Sequence, residues 1–210
     1  MSEISPVSRR EREKLQRRQA ILDAAERVIA LRGFHGASMD QIAQEAEFAP
    51  GTLYLYFKDK NQLYAVLFLR KLTEMVEEIE EAGRSVSDPL DGLRKAIRAQ
   101  FEFNDRNREF FEVLMRHRPG EQNPDENWVA VHQIIQRHHA ALYRLVECAQ
   151  ELGFIRTGDS RAYANALLGA VIHTSHELVF THTPLTGEPE FIFNLFLNGA
   201  RLHQAPQPMP

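Results

Sequence analysis

The sequence predicts an all-α chain of about nine helices, and three observations carry that expectation. Apolar residues recur three and four positions apart over long stretches, no segment alternates apolar and polar residues with the period of a strand, and no internal repeat is present. Breaks rich in turn formers, "HRPGEQNPDEN", "GFIRTGDS" and "THTPLTGEP", punctuate the periodic stretches.

The first helix is expected from Glu11 to Arg32, with Ile21, Ala24, Ala25, Val28 and Leu31 on one side and Gly33 as its stop. Ser38 caps a short second helix, because Gln41 stands three residues on, as a capping box requires, and Ile42 and Ala43 supply its buried side. That helix ends near Ala46. After a turn through Glu47, Phe48 and Ala49, Pro50 suits the first position of a third helix, where its missing N–H leaves nothing unsatisfied. A fourth helix follows Lys60, with Leu63, Val66, Leu67, Met75, Val76 and Ile79 as its apolar face. Beyond a joint at residues 83–88, helices are expected from Pro89, from Asn107, from about Glu126 to Leu152, from Arg161 to about Thr181, and from Pro189 to His203. The domain division expected is residues 1–60 and 61–210.

Composition narrows the class further. The 210 residues are 43% hydrophobic and 26% charged, ordinary values that exclude disordered and fibrous chains. The single cysteine, Cys148, excludes an internal disulfide framework and fits a reducing compartment. No apolar run approaches the ~18 residues of a membrane span, and the N-terminus lacks the apolar core of a signal peptide, so no membrane association and a cytoplasmic location are expected. The formal charge is -4, yet Arg9, Arg10, Arg12, Lys14, Arg17 and Arg18 cluster against only Glu11 and Glu13. Positive charge is therefore local, and a polyanion partner stays open despite the acidic total.

The stretch "FAPGTLYLYF" is unusual beside that cluster. Two short helices joined by a tight turn and packed on a longer one make a helix-turn-helix, whose second short helix presents side chains to the DNA major groove. Leu53 and Phe57, at i and i+4, hold that helix to the core, while Thr52, Tyr54 and Tyr56 offer hydroxyls outward and Gly51 admits a phosphate. A buried aromatic cluster is the competing reading of "LYLYF". The arm "SRREREKLQRR" is either a solvated helical extension or a further contact with the DNA backbone.

With the helix before it, "GFHGASMDQIAQEAEFAPGTLYLYFKDKNQLYAVL" resembles the DNA-binding domain of the TetR family of one-component transcriptional regulators, over residues 16–68. The resemblance implies an all-helical homodimer that binds a palindromic double-stranded DNA operator, usually as a repressor, and a divergent C-terminal domain that takes a small-molecule inducer. Carried across, Ser38, Thr52, Tyr56 and Lys60 would contact phosphate, and Pro50, Gly51, Thr52 and Tyr54 would face the groove. Ala37 stands where the family often has threonine and Glu47 where glycine is common in the turn.

The same resemblance places an inducer pocket among the fifth, seventh and eighth helices, with Phe103, Phe111, Trp128, His132, His139, Tyr143 and His173 as its expected lining and a mainly apolar ligand with a polar end. The last helix, "EFIFNLFLNGARL", is apolar over about two thirds of its circumference, wider than the ~100° stripe of a helix packed on one core. A four-helix homodimer interface through Leu168, Val171, Ile172, Val179, Phe193, Phe196 and Leu197 is expected; burial in one larger core is the alternative. His173, His176 and Glu177 share a helical face and invite a zinc reading, but ordinary hydrogen-bonding histidines are expected, with no metal and no cofactor. No nucleophile motif or phosphate loop supports an enzyme. A helical adaptor with little DNA binding is the main rival to a DNA-binding regulator, and a metal-dependent hydrolase the remote one.

Overall fold

The computed structural model describes residues 8–84, 88–116, 126–184 and 187–200, the side chains of residues 113–116, 126–128 and 180 excepted. Among the described residues the chain forms nine α-helices and no strand: α1 (Arg9–Gly36), α2 (Met39–Glu45), α3 (Pro50–Leu53), α4 (Lys60–Arg84), α5 (Pro89–Arg106), α6 (Arg108–Arg116), α7 (Glu126–Glu151), α8 (Ser160–Phe180) and α9 (Glu188–Ala200). None is long and apolar enough to cross a membrane. Two compact units result, one holding α1–α3, α4 up to Arg70 and the described part of Val113–Trp128, the other Lys71–Glu112 and the chain from Val129 onward.

In the first unit, α1 begins at a Ser8 cap whose hydroxyl accepts from the Glu11 N–H while the Glu11 carboxylate accepts from the Ser8 N–H. Hydrogen bonding from the Ser8 side chain, then from its backbone N–H, holds the Glu11 carboxyl below the usual carboxylate range. Ile21, Leu22, Ala24, Ala25, Val28 and Ile29 are buried, the i, i+3, i+4, i+7 pattern of a helix on one core. Leu31, expected on that face, is exposed. At Gly33 the backbone turns left-handed (φ 69°), so regular helix stops where the glycine predicted, and one further turn continues to Gly36. Arg70 of α4 clamps α1 from the side, its guanidinium donating to Asp23 Oδ1 at 2.6 Å and to Glu26 Oε2 at 2.7 Å.

In the second unit, Asp88 caps α5 and Asp159 caps α8, each side chain accepting backbone N–H bonds of the first turn. α5 packs on α8 and α9, and α8 on α9. Glu190 of α9 pairs with Arg98 at 2.6 Å, and Arg94 lies 4.7 Å from the centre of the Phe193 ring. Arg108 donates to the carbonyls of Leu178 and Thr183, both at 2.8 Å, which satisfies the open end of α8. Glu80 of α4 accepts two bonds from Arg137 of α7, at 2.8 and 2.6 Å. This pairing is the largest cause of a lowered Glu80 carboxyl and of a raised Arg137 guanidinium.

Candidate nucleic-acid interface

The α2–α3 corner is built by local rules. Ser38 Oγ accepts from the Gln41 N–H at 3.2 Å and the Gln41 carboxamide accepts from the Ser38 N–H at 3.0 Å, the expected capping box. At the other end of α2 the Phe48 N–H reaches back to the Ala43 carbonyl and the Glu47 N–H to the Gln44 carbonyl. This pair of bonds needs a left-handed residue at the position usually taken by glycine, and Glu47 fills it with φ 59°. A non-glycine residue there is strained by about 1 kcal/mol. The structure thus explains in backbone terms why this turn position favours glycine.

α3 is short. Pro50 starts it without a side-chain cap, and by Tyr54–Tyr56 the chain has loosened into turns. Leu53 and Phe57 are completely buried, and the Phe57 N–H bonds the Leu53 carbonyl at 2.9 Å, so these two residues pin the segment from beneath. The Arg18 guanidinium lies 5.3 Å from the centre of the Phe57 ring. Above the pins, Ser38, Pro50 and Gly51 are exposed and Thr52 and Tyr56 half-buried. Tyr54 is 55% exposed and Leu55 80%, so "LYLYF" is not a buried aromatic cluster. The exposure of Leu55 was not anticipated. A Cβ built on Gly51 would meet nothing within 4 Å, so packing within the chain does not require glycine there.

Lys60 departs from its expected place at a phosphate. Its ammonium donates to the Phe34 carbonyl at 2.7 Å and the Ala37 carbonyl at 2.9 Å, and sits 4.4 Å from the centre of the Phe34 ring. Burial lowers its pKa. The side chain ties the start of α4 to the α1–α2 corner, because two carbonyls left open where α1 breaks attract the nearest cation. Lys60 therefore positions the helix-turn-helix from within.

The inducer residues expected from sequence do not come together as one lining. Phe103 and Phe111 are buried, their rings edge-on with centres 6.1 Å apart. His139 and Tyr143 are half-buried along a groove between α7 and α8 of about 290 Å³, with Arg161 and Asn165 opposite, and the Tyr143 hydroxyl donates to Glu147 at 2.9 Å. His132 and His173 are exposed. Helical phase is the reason for His173: the buried stripe of α8 runs Leu168, Val171, Ser175, Val179, and residue 173 lies across the helix from it. The Trp128 side chain lies outside the described residues. His173 and Glu177 are exposed and His176 half-buried, and among the described residues no three histidine, cysteine or acidic side chains gather as metal ligands would.

Three buried polar groups went unremarked in the sequence: Asn104 on α5, His138 on α7 and Ser175 on α8. Asn104 Oδ1, His138 Nε2 and Ser175 Oγ have no hydrogen-bond partner among the described residues. Burial, with a smaller contribution from neighbouring His139, pushes the His138 imidazole down to about 4. A signal existed, since each is a polar residue on the apolar stripe of its helix, as in Ile97, Gln100, Phe101, Asn104.

The expected dimer residues are also redistributed. Leu168, Val171, Val179, Phe193 and Leu197 are buried within the one chain, so they belong to its own core; Ile172 and Phe196 are half-buried, Phe196 with its ring edge-on to Tyr163. The breadth of apolar surface on α9 is nonetheless present. Ile192, Phe193, Leu197 and Ala200 face inward, while Phe191 and Leu195 stand 62% and 60% exposed on the other side. On α8 the outward face is made of Ala162, Ala166, Gly169 and His173.

Comparison with known proteins bears on the N-terminal unit above all. Residues 21–67 match the family model described as bacterial regulatory proteins, tetR family. The chain is 40% identical over 90 residues to the fatty acid metabolism regulator protein of Bacillus subtilis and 36% identical over 88 residues to the transcriptional activator FasR of Mycolicibacterium smegmatis. These alignments cover 43% and 42% of this chain and only 46% and 40% of the relatives, so the chain spans less than half the length of either. Among solved structures, FadR from Bacillus subtilis in complex with stearoyl-CoA superposes with a TM-score of 0.73 at 24% identity, covering 88% of this chain and 99% of that one. A putative fatty acid metabolism regulator from Clostridium perfringens gives 0.67 at 26% identity, covering 88% and 100%.

Proposed function

The N-terminal domain of this chain belongs to the TetR family of bacterial regulatory proteins, and from that premise we propose that the protein is a ligand-responsive transcriptional repressor. It acts in the cytoplasm as a homodimer on a palindromic operator and is not an enzyme. The observation that carries the reading is the face of Pro50, Gly51, Thr52 and Tyr54, held outward by the wholly buried Leu53 and Phe57. Nothing among the described residues packs on that face. An open Gly51 and an exposed tyrosine suit close approach of a duplex, with Ser38 and Tyr56 at flanking phosphates.

The homodimer forms through the outward faces of α8 and α9, where Phe191 and Leu195 lie beside the small residues Ala166 and Gly169. Small residues let two helices approach closely, and the exposed apolar pair supplies buried area. The inducer is a mainly apolar molecule of the acyl-chain class, a long-chain acyl thioester or fatty acid. Two relatives whose names refer to fatty acid metabolism support that choice, one of them 40% identical over the aligned part.

Selection of genomic fragments with the purified protein at ~0.15 M salt tests the reading. The expected result is an inverted repeat with half-site centres about 34–36 Å apart, released by one member of a panel of acyl-CoAs and fatty acids. Recovery of no enriched sequence would sink the repressor reading and favour a helical adaptor. Leu195→Glu is expected to give a monomer by light scattering, and a dimeric variant would move the interface elsewhere.

A further inference from the structure

From Ser8 to Arg17 every residue of α1 is exposed. Apart from Leu15, itself exposed, the segment is polar on all sides and gains little from burial, so ten residues projecting past the core at Ile21 need another reason to be kept in order. The capping box at Ser8 and the exposed pair of Arg9 with Glu13 supply local order only. Both carboxylates of the segment are engaged by these contacts. Arg10, Lys14 and Arg17, at i, i+4 and i+7, form one stripe and make no ion pair or hydrogen bond among the described residues. The stripe is not isolated. With Glu11 and Glu13 it walls a groove of about 640 Å³ whose opposite side is Leu55 and Tyr56, the residues that directly follow Tyr54.

We infer that this groove and its cationic stripe are a second DNA-binding surface, which holds the sugar-phosphate backbone of the duplex beside the bases met by α3. The inference rests on the proposed DNA-binding role. Charge complementarity selects the occupant: the free groups of the stripe are cations about 5–6 Å apart along a helix edge roughly 10 Å long, suited to successive phosphates of one strand. Continuity supports it, because Tyr56 belongs to both the groove and the proposed operator face. Leu55 packs on sugar edges, which accounts for an apolar side chain left in water. Contacts of this kind carry no sequence information and act equally on every duplex.

The protein and the triple variant Arg10→Gln/Lys14→Gln/Arg17→Gln are titrated onto a mixed-sequence duplex about three turns long, over about 0.05–0.2 M KCl. A control variant, Arg84→Gln/Arg144→Gln/Arg161→Gln, removes the same charge from the second unit. The expected result is a plot of log K against log salt shallower by about 5 for the arm variant, three cations on each of two protomers at about 0.9 apiece, binding weakened by the same factor on any enriched operator, and a control that keeps the parent slope. An arm variant with the parent slope overturns the inference while leaving the α3 interface standing. Loss of the dimer in the arm variant overturns it too, since the stripe would then bind protein. If the parent protein binds no duplex at all, the DNA-binding role fails and the inference with it. Lys14→Glu alone, on an exposed position that cannot unfold the core, is expected to shift the slope in the same direction.

Discussion

The two units differ in what they expose and in which polar groups they bury. In the first, Ser38, Gln41, Lys60, Asp23 and Glu26 each have a defined partner, and the exposed side chains form one face around α3. In the second, Asn104, His138 and Ser175 are buried with open hydrogen-bonding atoms, and an apolar face of α9 stands in solvent. A duplex presents nearly the same surface to every protein that reads it, so the element that meets it is assembled from short, local rules. Under the proposed function a small molecule and a second subunit would complete the other unit from outside, at its open groups and its exposed apolar face. Leaving such groups buried and open costs about 1–3 kcal/mol each, which a bound partner would offset.

Breaking the pins of the first unit is expected to have the largest effect. Phe57→Ala removes a wholly buried ring and is expected to cost about 3–5 kcal/mol. Hydrogen exchange should show the loss concentrated in α1–α3, and equal loss in α5–α9 would mean that the two units unfold as one.

A comparable effect is expected in the second unit from pH. His138 is driven to about 4 when folded, against an ordinary imidazole value of 6.5. The unfolded chain therefore takes up the proton first, and stability present above pH 6.5 is lost as the pH falls toward 4, by up to about 3 kcal/mol. Denaturant titrations of the parent and of His138→Leu across that window measure it. Identical pH profiles would place the imidazole in contact with water.

Lys60 separates an internal brace from a phosphate contact. Lys60→Gln is expected to lower stability by about 1.5–3 kcal/mol and to weaken DNA binding without changing its salt slope. A slope reduced by about 1.8, one contact from each protomer of the dimer, would return Lys60 to the DNA. Tyr54→Ala is expected to weaken operator binding by about 1–3 kcal/mol while leaving the melting temperature in place. Unchanged affinity would remove this side chain from the interface. The smallest effect is expected at the strained turn: Glu47→Gly relieves the left-handed backbone and should add about 0.5–1 kcal/mol of stability. A loss of stability would show that the carboxylate makes a compensating contact.

Helix order, the cap at Ser38, the stop at Gly33 and the pins Leu53 and Phe57 were legible because each depends on residues within a turn or two of one another. Periodicity also showed that α9 has more apolar surface than one core needs. Its division into Phe193 and Leu197 inside and Phe191 and Leu195 outside depends on where α5 and α8 lie, which no spacing within α9 encodes. The inward turn of Lys60 required knowing that α1 breaks with two carbonyls facing the start of α4. His132, His139 and His173 looked alike as members of a list, yet helical phase and packing left the first and last in water and the other on a groove. Local interactions, which set helices, caps and turns, are written in the chain and determined by it alone. Long-range packing decides which face of each helix is core, because burial depends on neighbours brought from far along the sequence.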